Sequence, residues 1–140
     1  MATGATASYK TLLKMYDGVS AYATIAEVLD IKGPGMKAST EDATSHDSTD
    51  GWKEFIPTLL EGGEVGFDIQ FVPTGATHSY TAGLLKVMTD RTLRNYKIVF
   101  PDTTEWVLPA YVIEFNPDNS VSGISKASIT LQITGKPTLA

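Results

Sequence analysis

A long acidic, polar segment that leads directly into a strictly alternating strand constrains this chain more than any other feature. Residues 37–51 carry almost no large apolar side chain, so alone they bury too little surface to offset the entropy of ordering. Residues 64–71 then alternate strictly between polar and apolar residues. The apolar residues that this alternation places on one face are Val65, Phe67, Ile69 and Phe71. A polar excursion joined to a well-patterned strand predicts a segment that becomes ordered against another copy or partner.

This predicted assembly loop covers about residues 38–60, and we expect it to be mobile in the isolated chain. Residues 52–63 carry bulky apolar side chains without a regular period. Trp52 lies beside the acidic stretch and is a candidate interface anchor, because tryptophan is enriched at binding hot spots. The candidate contact residues of the loop are Glu41, Asp42, Asp47, Asp50, Trp52 and Phe55.

Length and charge limit the classes of protein to consider. The 140 residues predict one domain over residues 1–140 with short terminal arms, large enough to bury a core without disulfides, and there is no cysteine. Residues 1–70 hold eleven acids against five bases, whereas residues 71–140 hold five acids against six bases. Such a division suits head-to-tail association of identical copies. Chance clustering of charge on a solvated surface explains it equally well. The acidic balance argues against sequence-specific reading of nucleic acid.

No segment has the pattern of a targeting or membrane-spanning sequence. Residues 1–8 have neither a basic patch nor an apolar stretch, so we expect no signal peptide. No run approaches the roughly 20 apolar residues that cross a bilayer.

The remaining patterns predict a mainly β fold with one helix. Further strands are expected over residues 9–16, 22–31, 95–100, 105–115 and 126–134. Between residues 78 and 89, apolar residues recur at helical spacing; they are Tyr80, Leu84, Val87 and Met88. Thr77 or Ser79 is the expected cap of this helix. The predicted architecture is a β-sandwich or partly closed barrel with one flanking α-helix.

Sequences that resemble catalytic or ligand-binding motifs fail on geometry. Ser45, His46 and Asp47 are adjacent, so their side chains diverge along an extended chain and cannot form a hydrolase triad. Residues 47–51 lack the spacing and the closing glutamate of a calcium loop. Residues 33–40 lack the Lys-Ser/Thr pair of a phosphate loop. His46 and His78 are the only imidazoles and lie far apart in sequence, which argues against zinc. We therefore predict no catalytic, cofactor-binding or metal-binding residues, and no enzyme.

The order of strands and turns resembles the tail tube (major tail) proteins of long, non-contractile-tailed bacteriophages. The segments that carry the resemblance are residues 23–31 with the following Gly33-Pro34-Gly35, then 44–57, 59–67 and 128–135. The resemblance implies hexameric rings that stack into a tube, which assembles into a barrel-lined lumen through which DNA leaves the head. It also implies synthesis in the bacterial host cytoplasm and location in the virion tail. The implied partners are other copies of the chain and the tape measure, tail terminator and tail tip proteins, with DNA passing through without sequence-specific binding. No cofactor and no membrane span are implied.

One polar strand face is a candidate lining for that lumen. The candidate lumen-facing residues are Glu64, Asp68 and Gln70, because acidic and small polar side chains suit a water-filled bore that does not retain DNA. The solvated outer face of a monomer has the same pattern. Two alternatives also stay open: a tube protein similar to that of type VI secretion systems, and an immunoglobulin-like or capsid decoration module that binds without catalysis.

Overall fold

Antiparallel strands form most of the chain in the computed structural model, which describes residues 9–16, 21–80, 83–119, 121 and 123–139. The elements are β1 (Leu12–Tyr16), β2 (Tyr22–Thr24), β3 (Val28–Lys32), β4 (Lys37–Asp42), β5 (Phe55–Glu61), β6 (Glu64–Gln70), α1 (Leu84–Asp90), β7 (Arg94–Val99), β8 (Glu105–Asp118), β9 (Lys126–Ile133) and β10 (Thr138–Leu139). The mainly β class with a single helix among the described residues is therefore confirmed. The predicted N-terminal arm lies outside the described residues.

One sheet curls until its two edge strands come together. Its order is β2-β1-β7-β8-β9-β6-β3, with β10 added alongside β8. The edge strands β2 and β3 are consecutive in the chain and are separated only by residues 25–27, which reach about 15 Å at most. The sheet is consequently a barrel that stays open at one seam. The single strand predicted over residues 22–31 is wrong, because the chain bends at Glu27, whose φ is 60°, and passes from one edge to the other.

The gap between the two edge strands, which we call the seam, is held by side chains of the segment that follows β6. The Ala26 N–H donates to Thr77 Oγ1 at 3.1 Å, and His78 Nε2 lies 2.6 Å from the Ala26 carbonyl oxygen. The other ring nitrogen, Nδ1, accepts from the Val72 N–H at 3.1 Å. The imidazole is fully buried, and because Nδ1 accepts from a backbone N–H, Nε2 is the nitrogen that donates to the Ala26 carbonyl oxygen.

The core lies inside the curl and confirms the predicted strand faces. In β6, Val65, Phe67 and Ile69 are buried, and Phe71 packs against them in part. The residues of β9 that alternate into the core are Ala127, Ile129, Leu131 and Ile133. Burial of these side chains supplies most of the favourable free energy of folding.

The helix is shorter than predicted and begins later. Leu84 and Val87 are buried, but Tyr80 is 67% exposed and precedes the helix, so its predicted place in the apolar stripe is wrong. Gly83 occupies the N-cap because a side chain there would overlap the backbone of Thr77. No side chain caps the helix, since the Thr77 hydroxyl binds Ala26 instead.

The strands predicted over residues 95–100 and 105–115 are present as β7 and β8, which pair as a hairpin. Its turn is fastened by Asp102, whose carboxylate accepts the Thr104 N–H at 3.0 Å, and this bond lowers the pKa of Asp102. Pro109 does not lie on an edge strand or at a bulge. Its carbonyl accepts from the Thr134 N–H, so its missing N–H faces the interval between β9 and β10, where pairing is interrupted. Trp106 is half-buried against the core, edge-on to Phe100.

Candidate assembly site

A separate two-stranded ribbon projects from the barrel. β4 and β5 pair only with each other, and every residue in both strands is exposed. β4 is formed by the first six residues of the polar segment 37–51. Its partner strand β5 was not predicted, because residues 55–61 show no regular alternation.

Backbone contact between glycines attaches the ribbon to the barrel. Gly33 precedes β4 at φ +96°, and a side chain there would overlap the Glu64 carbonyl oxygen. Gly63 follows β5 at φ +75°, and a side chain there would overlap the Gly35 carbonyl. The Gly35 N–H donates to the Glu64 oxygen at 3.2 Å. We call this crossing of residues 33–35 and 62–64 the neck. Only glycine permits both the positive φ and the close approach.

A bulge in β5 places Phe55 and Leu60 on one face of the ribbon, whereas Ile56, which pairs with Glu41, lies on the other. Asp42 pairs with Phe55 and Thr40 with Pro57, but Ala38 pairs with Leu60. Two residues of β4 therefore oppose three of β5, and the extra residue turns Leu60 to the face that carries Phe55. Phe55 is 57% exposed and Leu60 is 81% exposed. This face carries two large exposed apolar residues, and the bulge explains why a simple alternation could not reveal that they share a face.

The tip of the ribbon, residues 43–54, is closed by its own hydrogen bonds. The Glu54 N–H donates to Thr44 Oγ1 at 2.8 Å, and the Ala43 N–H donates to the Glu54 carbonyl at 2.8 Å. The Ser48 hydroxyl donates to the Glu54 carboxylate at 2.7 Å. Trp52 is 75% exposed within this hydrogen-bonded tip. The expected mobility of residues 38–60 in the isolated chain stays a prediction.

The acidic candidates of the loop are brought together along this ribbon, all at exposed positions. Glu41 and Asp42 lie in β4, whereas Asp47 and Asp50 lie in the tip. The side chain of Asp42 accepts the Thr44 N–H at 2.9 Å, and hydrogen bonding to Thr44 lowers the pKa of this carboxyl. Asp50 adopts a left-handed conformation, with φ 53°, in a short 3-10 turn.

The candidate catalytic and metal motifs do not form sites. The Ser45 hydroxyl accepts the Asp47 N–H at 3.3 Å, which makes this stretch a turn. Within the described part of the chain, no three histidine or acidic side chains are grouped to hold a metal. His78 is fully used in holding the seam. Across the same residues, no helix has the length and apolar character needed to span a membrane.

The candidate lumen residues share one outward face. Glu64, Asp68 and Gln70 alternate with the buried residues of β6. Asp68 accepts a hydrogen bond from Ser128 of β9 at 2.8 Å. The same face continues onto β8, where Glu114 pairs with Thr130 and Asp118 with Lys126. Sequence reasoning missed these two acids because the bulge between Val112 and Glu114 reverses the alternation. The face is polar and acidic, and whether it lines a lumen is a proposal.

A groove of about 1020 Å³ lies between the base of the ribbon and the turn that joins β9 to β10. Sequence reasoning also missed this feature, because it joins residues distant in the chain. Its apolar lining includes Met36, Leu60, Ile133, Pro137 and Leu139.

Comparisons with known proteins agree with this architecture. The sequence matches the family described as Lambda phage tail tube protein, TTP, over residues 3–140. No curated protein is a significant match in sequence.

Solved structures share the fold. The tail of an empty gene transfer agent particle, refined with C6 symmetry, superposes with a TM-score of 0.81 at 18% identity, covering 97% of this chain and 99% of that one. The sheath/tube terminator of PVC, an extracellular contractile injection system, in its extended state gives a TM-score of 0.73 at 10% identity, covering 100% and 99%. The SPP1 tail tube gives 0.64 at 13% identity, covering 94% and 76%.

Proposed function

The chain belongs to the lambda phage tail tube protein family, and we propose that it self-assembles into stacked hexameric rings that form the tail tube of a long, non-contractile tail. Its role is structural and not enzymatic, in the tail of a virion. The ring, the number of copies in it and the passage of DNA through it are all part of what we propose. The C6 symmetry of the similar gene transfer agent tail supports six copies per ring.

The observation that carries the proposal is the free ribbon. A monomeric protein rarely exposes a group of large apolar side chains, because their hydration is unfavourable. Here Trp52, Phe55, Leu59 and Leu60 are each more than half exposed on one projecting element. We propose that neighbouring copies cover these residues, with Glu41, Asp42, Asp47 and Asp50 supplying charge complementarity at the contact.

The outward face of β6 is the proposed lining of the bore. Glu64 and Asp68 would repel DNA phosphate over roughly 8–10 Å at moderate salt, so the duplex would not adhere during ejection. Gln70 adds a polar, uncharged side chain to that face. DNA would pass without sequence-specific binding.

Further partners follow from a place in the tail. We propose that the tape measure protein lies within the tube during assembly, and that terminator and tip proteins contact its ends. Synthesis in the host cytoplasm is part of the same proposal.

A tube of a contractile apparatus, including one like that of type VI secretion, is the second candidate. The likeness to the contractile injection system chain favours it, since that fold is shared over the full length of both chains. Co-assembly with a sheath protein would distinguish this candidate. A decoration or immunoglobulin-like binding module would form neither rings nor tubes.

Negative-stain microscopy of the concentrated, purified chain tests the main proposal. Six-fold rings or tubes with a central bore are expected. A chain in which a short glycine linker replaces residues 37–61 is the matched control, because the neck keeps the ends of that segment close. It should stay folded without assembling. Dispersed single particles of the unaltered chain at every concentration and salt condition would contradict the proposal.

A further inference from the structure

We propose that the groove at the base of the ribbon receives the ribbon tip of a second copy, with Trp52 as the inserted side chain. This inference rests on the proposed function and names the surface to which the ribbon binds.

The groove has the lining that an indole ring requires. Leu60 and Met36 contribute its ribbon side, while Ile133 and Leu139 contribute the barrel side. Its volume of about 1020 Å³ lies at the upper end of the range for small-ligand pockets, so a large aromatic side chain with its flanking residues fits within it. A Trp side chain buries about 150–250 Å² of mostly apolar surface in such a site.

Hydrogen bonds within the tip present Trp52 outward. Hydrogen bonds among Thr44, Ser48 and Glu54 close the tip in a single copy, while Trp52 remains 75% exposed. A turn closed by hydrogen bonds of its own restricts the positions of its side chains, which lowers the entropy cost of binding even where the ribbon as a whole moves. The closed turn therefore makes Trp52 suited to anchor a contact.

The charges of tip and groove are complementary. Lys37 and Lys136 are exposed residues that line the groove, with Glu61 as the acid of the lining. The tip carries three acids against one lysine. Asp47 and Asp50 precede the tryptophan in sequence and are exposed. Attraction between the tip carboxylates and the groove lysines steers the tip to the groove and disfavours insertion in the reverse orientation.

The occupant must come from another copy. Trp52 lies nine residues before Glu61 along an extended strand, which separates the tip from its own groove by roughly 30 Å. A contact from the tip of one copy to the base of the next uses two different surfaces, so it does not close on itself as a two-fold dimer does. Repeated between copies, such a contact closes a ring where the rotation between neighbours closes, and otherwise extends an open array. The groove contact therefore belongs to the contacts between copies that build the tube.

Cysteine cross-linking tests this contact, since the chain has no cysteine of its own. Asp50→Cys combined with Lys136→Cys should yield intermolecular disulfides in assembled tubes, visible as a ladder on a non-reducing gel. Asp50→Cys combined with Lys126→Cys is the matched control, because Lys126 is an exposed lysine at the opposite end of β9. A ladder from the Lys136 pair alone supports the proposal. Tubes in which the Lys136 pair fails to cross-link, or in which the Lys126 pair cross-links instead, overturn it while leaving the tube function intact.

Association strength gives a second readout. Trp52→Ala should weaken assembly by about 30-fold or more in critical concentration, as expected for a hot spot. Tyr80→Ala, which removes another exposed aromatic away from the ribbon, should leave the critical concentration unchanged. Equal effects of the two substitutions would overturn the role of Trp52. If the unaltered chain forms no rings or tubes, the proposed function fails and this contact fails with it.

Discussion

His78 Nε2 lies 2.6 Å from the carbonyl oxygen of Ala26, a residue 52 positions earlier in the chain. The bond joins the bend between the two edge strands to the segment that follows β6. A buried histidine thereby holds the segment after β6 against the bend between the two edge strands.

His78→Ala should destabilise the monomer by about 2–5 kcal/mol, because the Val72 N–H and the Ala26 carbonyl would lose their partner inside the protein. Chemical denaturation of the two proteins measures the change. His46→Ala is the control, since that imidazole is exposed, and it should alter the free energy of unfolding by less than about 0.5 kcal/mol. Similar losses for both variants would contradict the role assigned to His78.

Phe67→Ala and Leu131→Ala should each cost roughly 2–5 kcal/mol, because each removes a side chain from the core and leaves a cavity. Thr130→Ala lies next to Leu131 but faces outward, and should cost well under about 1 kcal/mol. Denaturant midpoints rank the three variants. A greater loss for Thr130→Ala than for Leu131→Ala would mean that the faces of β9 are reversed.

Tyr96→Phe should leave stability at neutral pH unchanged or raise it by up to about 1 kcal/mol. Tyr96 is fully buried, and its hydroxyl finds no hydrogen-bond partner among the described residues. Replacing an unpaired buried hydroxyl by hydrogen removes a desolvation cost. A marked loss of stability would show that the hydroxyl has a partner.

The same substitution should change the response to alkali. Burial raises the pKa of the Tyr96 phenol above its usual value of about 10, and the nearby Arg94 charge opposes that rise. Below about pH 10 the phenol is neutral in both states; above it, the unfolded chain ionises first, so the folded protein loses stability. The free energy of unfolding of the unaltered protein should therefore differ from that of Tyr96→Phe by a constant amount near pH 9, and should fall progressively further below it towards pH 11. Parallel pH dependence in the two proteins would contradict this.

Amide hydrogen exchange should separate the ribbon from the barrel. Because the ribbon has no buried side chain, its amides should exchange much faster than those of β6 and β9 in the isolated chain, and should become protected in tubes. Mass spectrometry of both states measures this. Equal, strong protection of residues 38–60 in monomer and tube would contradict the prediction.

Glu64→Lys with Asp68→Lys tests the lumen. The summed charge of the two side chains changes from −2 to +2 in each copy, and this change would convert a bore that repels phosphate into one that binds it. Tails of normal length with slowed DNA delivery, restored by added salt, are expected from particles that carry the variant. Glu41→Lys with Asp42→Lys gives the same change of charge on the ribbon and should impair assembly instead. Normal tails with unchanged delivery would place Glu64 and Asp68 outside the bore.

The regular parts of this fold were predictable because one period dominated each of them. In β6 and β9 a single buried face required alternation, and the sequence shows it directly. Prediction failed where the backbone departed from a period: at the bend of Glu27, at the bulge opposite Ala38 and at the bulge after Val112. After each of these departures, the side chains no longer lie on the faces that a continued period would predict. The acidic ribbon was foreseen from composition, whereas the groove joins distant segments and leaves no local signal.

The glycine neck has a consequence for how such a protein varies between viruses. The ribbon shares backbone contacts with the barrel, but its side chains contribute nothing to the core. Substitutions along it are therefore nearly free of thermodynamic penalty for the individual copy, and selection acts on them only through the fit between copies. The contacts between copies can therefore change through substitutions in the ribbon, while the core residues that determine folding stay the same in the barrel. Two related tubes produced in one infected cell could in this way remain unmixed, although their barrels are interchangeable.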